Sequence, residues 1–383
     1  VTVTATSGAA GIATIAISGG FSQDSQANLV AGGGAGAAID SDTCFNILLG
    51  CNAGKSLNEG DLNIFIGCYA GESATSAACN IFLGTKAGCS LTSGSQNIFL
   101  GTDSNRCRTG GNNNISLGHF SANRAETGGY NISIGLGARL TATTGNDGVA
   151  IGRYAQRYVT GNCNVAIGMC AGSGDSSGSS GTFNVAIGRY TGQDTSSGTA
   201  NVFLGKNAGK TLTTGSNNIA IGCYSMCGGA VTGDHNIVIG CKTGCALTSG
   251  HSNVIMGRDS GPKLTDGTGN TFIGGGAGKY TDSSSQSVFI GCASGHNSEG
   301  NQVVAIGFRA GHGGGTKTGG IFVGAYAGDD TTDATCAIHI GYKAGCKNHE
   351  FSIIGSQMIS KSLPPIRNIQ LIHNSNDDSC ESY

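Results

Sequence analysis

The chain has 383 residues, among them 69 Gly, 3 Pro, no Trp and only 11% charged residues, a composition that excludes ordinary globular domains. Without a three-residue period the glycine content excludes collagen, and the retained Ile, Val, Leu and Phe exclude disorder. A formal charge of −2 gives no general electrostatic case for nucleic acid or an anionic membrane, and no apolar run approaches the roughly 18 residues that cross a bilayer.

In chain order, residues 1–6 alternate Val and Thr and read as a strand. With Ile15-Ala16-Ile17 they form an N-terminal cap spanning residues 1–27. A repeat region, 28–355, opens with a degenerate copy at Asn28-Leu29-Val30-Ala31-Gly32. From there aliphatic–x–aliphatic–Gly recurs with its Gly at 50, 67, 84, 101, 118, 135, 152, 168, 188, 205, 222, 240, 257, 274, 291, 307, 324, 341 and 355. Most steps are 17 residues, and a fixed period of this kind is the signature of a repeat architecture.

Each column of the repeat has its own physics. The residue before the landmark Gly is apolar in all nineteen copies, and the residue two earlier is Ile or Val in seventeen, with Thr271 and Ser352 the departures. Two aliphatics separated by one residue share a strand face, and β-branching suits a pleated surface. Thirteen copies place Asn ahead of the pair, and Asn46, Asn63, Asn80, Asn97, Asn114 and Asn131 form an unbroken run that can ladder amide on amide. The third residue after the Gly is small (Ala53, Ala70, Ala87, Ser104, Ser121), which marks a tight corner or a close backbone approach. The remaining residues are the Ser, Thr, Gly, Asn and Asp of turns. A 17-residue unit cannot bury its own strand, but stacked neighbours bury it together, so the fold class is all-β: a parallel β-solenoid, or β-roll, of about nineteen coils.

The middle residue of each strand points away from the aliphatic pair, yet it too is mostly apolar, as at Phe65, Phe82, Phe99, Phe203, Phe272, Phe289 and Phe322. A strand apolar on both faces is covered on both faces. One small coil supplies a single interior, so this column is assigned to the interface of a homotrimeric rod. The alternative is a monomeric solenoid that folds the Phe column under its own loops.

Sixteen cysteines point to an oxidising location. Cys51 with Cys68, Cys223 with Cys241 and Cys227 with Cys245 share columns in adjacent coils, where Cα atoms about 4.8 Å apart lie within disulfide range. Cys79 with Cys89 and Cys336 with Cys346 flank a strand symmetrically, which suggests a bridge across a coil or between chains. His296 and His312 also share a column and could ring a metal on a threefold axis. That column elsewhere holds Lys55, Glu72, Arg106 and Lys210, reads as solvent-facing, and gives no reason to expect a metal or cofactor. His312-Gly313-Gly314-Gly315 has the look of an oxyanion loop but no nucleophile elbow accompanies it, and no paired carboxylates stand out, so no enzyme is expected. Past Gly355 the pattern breaks at Ser362-Leu363-Pro364-Pro365, and residues 356–383 read as a C-terminal cap and polar tail.

Asn63-Ile64-Phe65-Ile66-Gly67-Cys68-Tyr69-Ala70-Gly71 and Asn201-Val202-Phe203-Leu204-Gly205-Lys206-Asn207-Ala208-Gly209 resemble the Asn-x-Phe-Ile-Gly-x-x-Ala-Gly repeats of viral and phage tail-fibre proteins. Asn164-Val165-Ala166-Ile167-Gly168 is similar to the Val-Ala-Ile-Gly repeats in the heads of YadA-like trimeric autotransporter adhesins. The resemblance implies an extracellular homotrimeric rod on a virion or cell surface, in contact with other virion proteins and with host glycans or a receptor. A structural component of an extracellular filament is the rival expectation. An ice-binding solenoid is disfavoured because no Thr-x-Thr ladder repeats on one face.

Overall fold

The computed structural model describes residues 3–7, 13–17, 22–176 and 178–346, so the last copy of the repeat at Gly355 and the 356–383 cap lie outside the described residues. Strands β1 (Val3–Ser7) and β2 (Ala13–Ile17) pair antiparallel, and β3 (Ser22–Gln23) pairs antiparallel with β4 (Leu29–Ala31). From β4 onward the chain is a β-solenoid of parallel three-residue strands, one per repeat. The degenerate copy at Asn28–Gly32 is a full member, with Leu29, Val30 and Ala31 in register with Ile47, Leu48 and Leu49.

The chain divides into two compact units, Val1–Gly181 and Thr182–Tyr383. In the first, nine strands from β4 to β12 (Val165–Ile167) stack in exact sequence register, as in Ile64↔Ile81, Phe65↔Phe82 and Ile66↔Leu83. In the second, ten strands from β13 (Val185–Ile187) to β22 (Ile338–Ile340) do the same. Insertions that lengthen a coil fall in the turns and leave the register intact: Ile219↔Ile237 still pair across the 18-residue step.

The coil closes because several residues per repeat adopt left-handed backbone. In one coil these are Leu62 (φ 58), Gly67 (φ 137), Tyr69 (φ 61) and Gly71 (φ 59). Both glycines are required by close approach. A Cβ on Gly67 would stand 2.6 Å from the carbonyl oxygen of Gly84 in the next coil, and one on Gly71 would stand 2.6 Å from the Phe65 ring. Leu62 and Tyr69 carry side chains there at a cost of about 1–2 kcal/mol each. Hydrogen bonds between coils offset that strain at every turn, such as Tyr69 N–H to Cys51 C=O at 2.8 Å and Gly71 N–H to Ala87 C=O at 3.0 Å.

The core corrects the sequence expectation. The middle strand residue, not the aliphatic pair, faces the interior of its own coil. Phe65, Phe82, Phe99, Phe272, Phe289 and Phe322 are 0% exposed and Phe203 is 1% exposed within the single chain, so none of them is available to a partner. Phe65, Phe82 and Phe99 stack with ring centroids 4.6 Å apart, as do Phe272 and Phe289. The physical reason is a second apolar column hidden in the turn segment. Leu57, Ala74 and Leu91 are fully buried opposite the rings, and with Ala53, Ala70 and Ala87 they complete a lumen that the coil fills by itself.

Candidate functional site

With the rings turned inward, the aliphatic pair turns out. Its residues range from half-buried to exposed: Ile81 is 40% exposed, Leu83 47% and Ile340 57%. Along the first unit the two columns make an aliphatic strip roughly 40 Å long at the usual spacing between strands. A strip of that length, two side chains wide, is on the order of the largest apolar patch that a monomer exposes. Phe45 and Leu62, two residues ahead of their strands, stand 62% and 57% exposed and add to it.

The asparagines immediately before the strands are buried and bonded in series. The Asn46 Oδ1 accepts from both the backbone N–H and the Nδ2 of Asn63, at 2.9 and 3.0 Å. Asn63 does the same for Asn80, Asn80 for Asn97, Asn97 for Asn114, and Asn114 for Asn131. Each Nδ2 also donates to a turn carbonyl of the same repeat interval, as Asn97 does to Gly111 at 2.9 Å. Backbone N–H groups that the left-handed turn leaves unpaired are thereby satisfied. In the second unit Asn201, Asn218, Asn236, Asn253 and Asn270 continue the pattern.

The six residues after the landmark glycine collect cations and tyrosines. In the second unit Arg189 lies over Tyr190 at 4.7 Å, Lys206 over Tyr224 at 5.5 Å, Lys263 over Tyr280 at 4.8 Å and Arg309 over Tyr326 at 5.8 Å. In the first, Arg157 lies 4.7 Å from Tyr154 and 4.8 Å from Tyr158. Acids such as Asp234, Asp266, Asp282 and Glu299 fall instead in the later turn of their repeats. Other acids, among them Glu72, Asp103, Asp259 and Asp329, share the corner segment, so the basic–aromatic pairs that fit an anionic group beside a flat apolar surface are individual corners such as Arg189–Tyr190 and Lys206–Tyr224.

Among the cysteine candidates, the Cys227 and Cys245 thiols hydrogen-bond at 3.9 Å between sulfurs, and Cys245 also donates to Tyr224 C=O at 3.1 Å. Hydrogen bonding with Cys245 brings the Cys227 thiol down to about 7, against the opposing effect of burial. Cys68 hydrogen-bonds with Cys51, and burial followed by that neighbour pushes its thiol up. Cys223 is half-buried and Cys241 exposed in their shared column. Of the flanking pairs, Cys79 and Cys336 are exposed while Cys89 and Cys346 are half-buried, and the Cys89 thiol lies 3.6 Å from a Glu72 carboxylate oxygen.

His296 and His312 stack at 4.7 Å, and Tyr280 meets His296 edge-on. Desolvation, then the neighbouring His312, lowers His296 to about 4. His312 Nδ1 sits 2.9 Å from the Asp329 carboxylate, which Arg309 also pairs at 3.0 Å. Burial would raise Asp329, but its hydrogen bonds to His312 and Arg309 outweigh it and hold the carboxyl below its ordinary value. His312, Asp329 and Asp330 have ligand atoms within 4.8 Å of one another, yet the guanidinium already neutralises the carboxylate that a cation would need. The cluster is an ion-pair network.

Sequence reasoning found the asparagine ladder and the stacked thiols. It missed Leu57 and Leu91 in the turn and the basic–aromatic corners. The recurrence of Leu at 57, 91, 212, 247 and 264 in one column was the available signal. In comparisons with known proteins, no family model matches the chain, and neither does any curated protein or solved structure.

Proposed function

We propose that the chain is a structural, non-enzymatic fibre module of an extracellular particle, a virion spike in the tail-fibre manner, that assembles as a homotrimer and attaches to a host surface. The observation that carries this reading is the aliphatic face. Paired columns such as Ile64 with Ile66 and Ile98 with Leu100 run along each unit only half covered by their own chain. Water-facing strands alternate apolar with polar, and these do not. A second and third copy, each presenting the same strip to a common axis, bury it with closed symmetry. The basic–aromatic corners, on residues away from that strip, support attachment to acidic glycans, with rings against sugar faces and cations on sulfate or carboxylate groups.

Native mass measurement tests the assembly. A trimer is expected for the wild-type chain, and a monomer of unchanged β content for the variant carrying Ile64→Lys, Ile98→Lys and Ile132→Lys. A monomeric wild-type chain at micromolar concentration would sink the reading. Binding to a sulfated-glycan array that weakens with salt, and falls when Arg189 and Lys206 become Gln, tests attachment. Rods that polymerise end to end and bind no glycan would favour an extracellular filament.

A further inference from the structure

In four successive coils of the first unit the lumen loses its aromatic rings: Ser116, Ser133, Ala150 and Ala166 replace the Phe of earlier strands. The position four residues after the landmark glycine changes in step. Where a ring is present, a Cβ there would meet it, as on Gly71, 2.6 Å from the Phe65 ring. In three of the four ring-free coils it carries Ala122, Arg139 or Gln156, and at the boundary beside Phe99 it carries Asn105, all with left-handed backbone and all buried. Arg108 enters the same interior from the column that holds Leu57 and Leu91 in earlier coils.

Arg108 and Arg139 are each 1% exposed. Arg108 Nε donates to Asn105 Oδ1 at 3.0 Å and Nη1 to the carbonyls of Gly110 and Gly128, at 3.0 and 2.5 Å. Arg139 donates to Gln156 Oε1 at 2.7 Å and to Gly145 C=O at 3.0 Å. These neutral acceptors satisfy individual N–H groups but cancel no charge. The acid of the Arg108 coil, Asp103, pairs with Arg106 at 3.7 Å instead. Buried Lys317 shows the contrast, since Asp333, Asp329, Asp330 and Glu299 all offset its desolvation, whereas the charge acting on Arg108 is the like charge of Arg139. From the Arg108 coil to the Arg139 coil the intervening buried side chains of the lumen are small: Ser116, Ser121, Ala122, Ala125 and Ser133. Two buried donors there and in the Arg108 coil, Ser133 Oγ and Asn105 Nδ2, have no partner. Two desolvated cations without a counter-charge are strongly unfavourable, and orphaned donors add to that cost.

We propose that this stretch of lumen encloses a small monovalent inorganic anion of chloride type, held between the Arg108 and Arg139 guanidinium groups and reached by Ser133 Oγ and Asn105 Nδ2. The anion completes the electrostatics of a polar section inserted into an otherwise apolar coil stack. It enters as the coils close and acts as a structural ligand, independent of the surface that binds a partner.

Crystals grown from the chain purified and refolded in sodium bromide test it directly. An anomalous bromide peak between the two guanidinium groups is expected, and it disappears in a variant carrying Arg108→Leu and Arg139→Gly, the residues that the same columns hold elsewhere. The unfolding midpoint of the wild-type chain should also rise with chloride relative to fluoride at equal ionic strength, and that difference should vanish in the variant. Water-only or empty density at the site, a peak that survives in the variant, or equal midpoints in the two salts would overturn the proposal.

Discussion

Asn97 illustrates how one side chain holds a coil. Its Oδ1 accepts the backbone N–H and the Nδ2 of Asn114, and its own Nδ2 donates to Asn80 and to Gly111 C=O, all without exposure to water. Asn97→Ala leaves buried groups unpaired on three neighbouring segments. A loss of about 2–4 kcal/mol is expected from urea unfolding, at one to three per orphaned group with partial relaxation. Asn97→Ser should cost less, because Ser287 occupies this column naturally: its N–H donates to Asn270 Oδ1 at 3.0 Å, and its Oγ accepts the Val303 N–H at 3.1 Å, a bond that Ala cannot make. Equal losses for Ala and Ser would contradict the ladder. His296 makes the opposite kind of statement. Its imidazole is lowered from 6.5 to about 4, with His312, Lys279 and Arg309 among the groups facing it. Because the folded chain favours the neutral ring, the unfolded chain takes up this proton first as pH falls. The contribution is therefore complete above 6.5 and is lost towards about 4. The unfolding midpoint should drop across that window and drop less in His296→Gln; an unchanged slope would refute the assignment.

The coil is the element at which sequence and structure part company. Period, strand position, small corner residue and amide ladder were all legible, since each is a column whose chemistry repeats. The facing of the strand was not. Ile64, Phe65 and Ile66 are apolar on both faces, so period-two alternation carries no information about which side is inside. The deciding residues, Leu57 and Leu91, sit among Ser, Asn and Thr and read as turn until their common column is noticed. The left-handed backbone at Leu62, Tyr69 and Cys79 was equally hidden, because side-chain identity there varies while hydrogen bonds fix the conformation. Placing the rings inside gives a clear contrast within one strand. Phe82→Ala should cost about 3–5 kcal/mol, the usual range for a deleted buried aromatic, whereas Ile81→Thr should leave coil stability nearly intact and weaken only assembly. Hydrogen exchange of the 64–100 coils reads both, and the reverse ranking would restore the Phe column to the interface. The same stacking puts Cys227 and Cys245 in position to close a covalent rung. Treatment with a low-molecular-weight disulfide is expected to remove one hydrogen from each thiol, join Cys227 to Cys245 and release two equivalents of the small thiol. Peptide mass mapping that finds mixed adducts and no Cys227–Cys245 cross-link would exclude the rung.

At the scale of the molecule, each unit reduces to one physical device: an interior that the chain fills alone and an exterior strip that it does not. Interior filling makes every coil's stability depend on its neighbours, so length can be added by repetition without new design. The half-covered strip is the surface that the proposed assembly would bury, being about the largest apolar patch that a monomer leaves exposed. The proposed fibre and trimer rest on that asymmetry, and the proposed acidic-glycan ligand rests on the basic–aromatic corners. The most direct test is a cryo-electron microscopy reconstruction of the purified chain. Three copies with the Ile64, Ile98 and Ile132 columns around a common axis, and the Phe65, Phe82 and Phe99 rings enclosed within each coil, are predicted. Single copies with a bare aliphatic strip, or copies joined through those rings, would contradict the account.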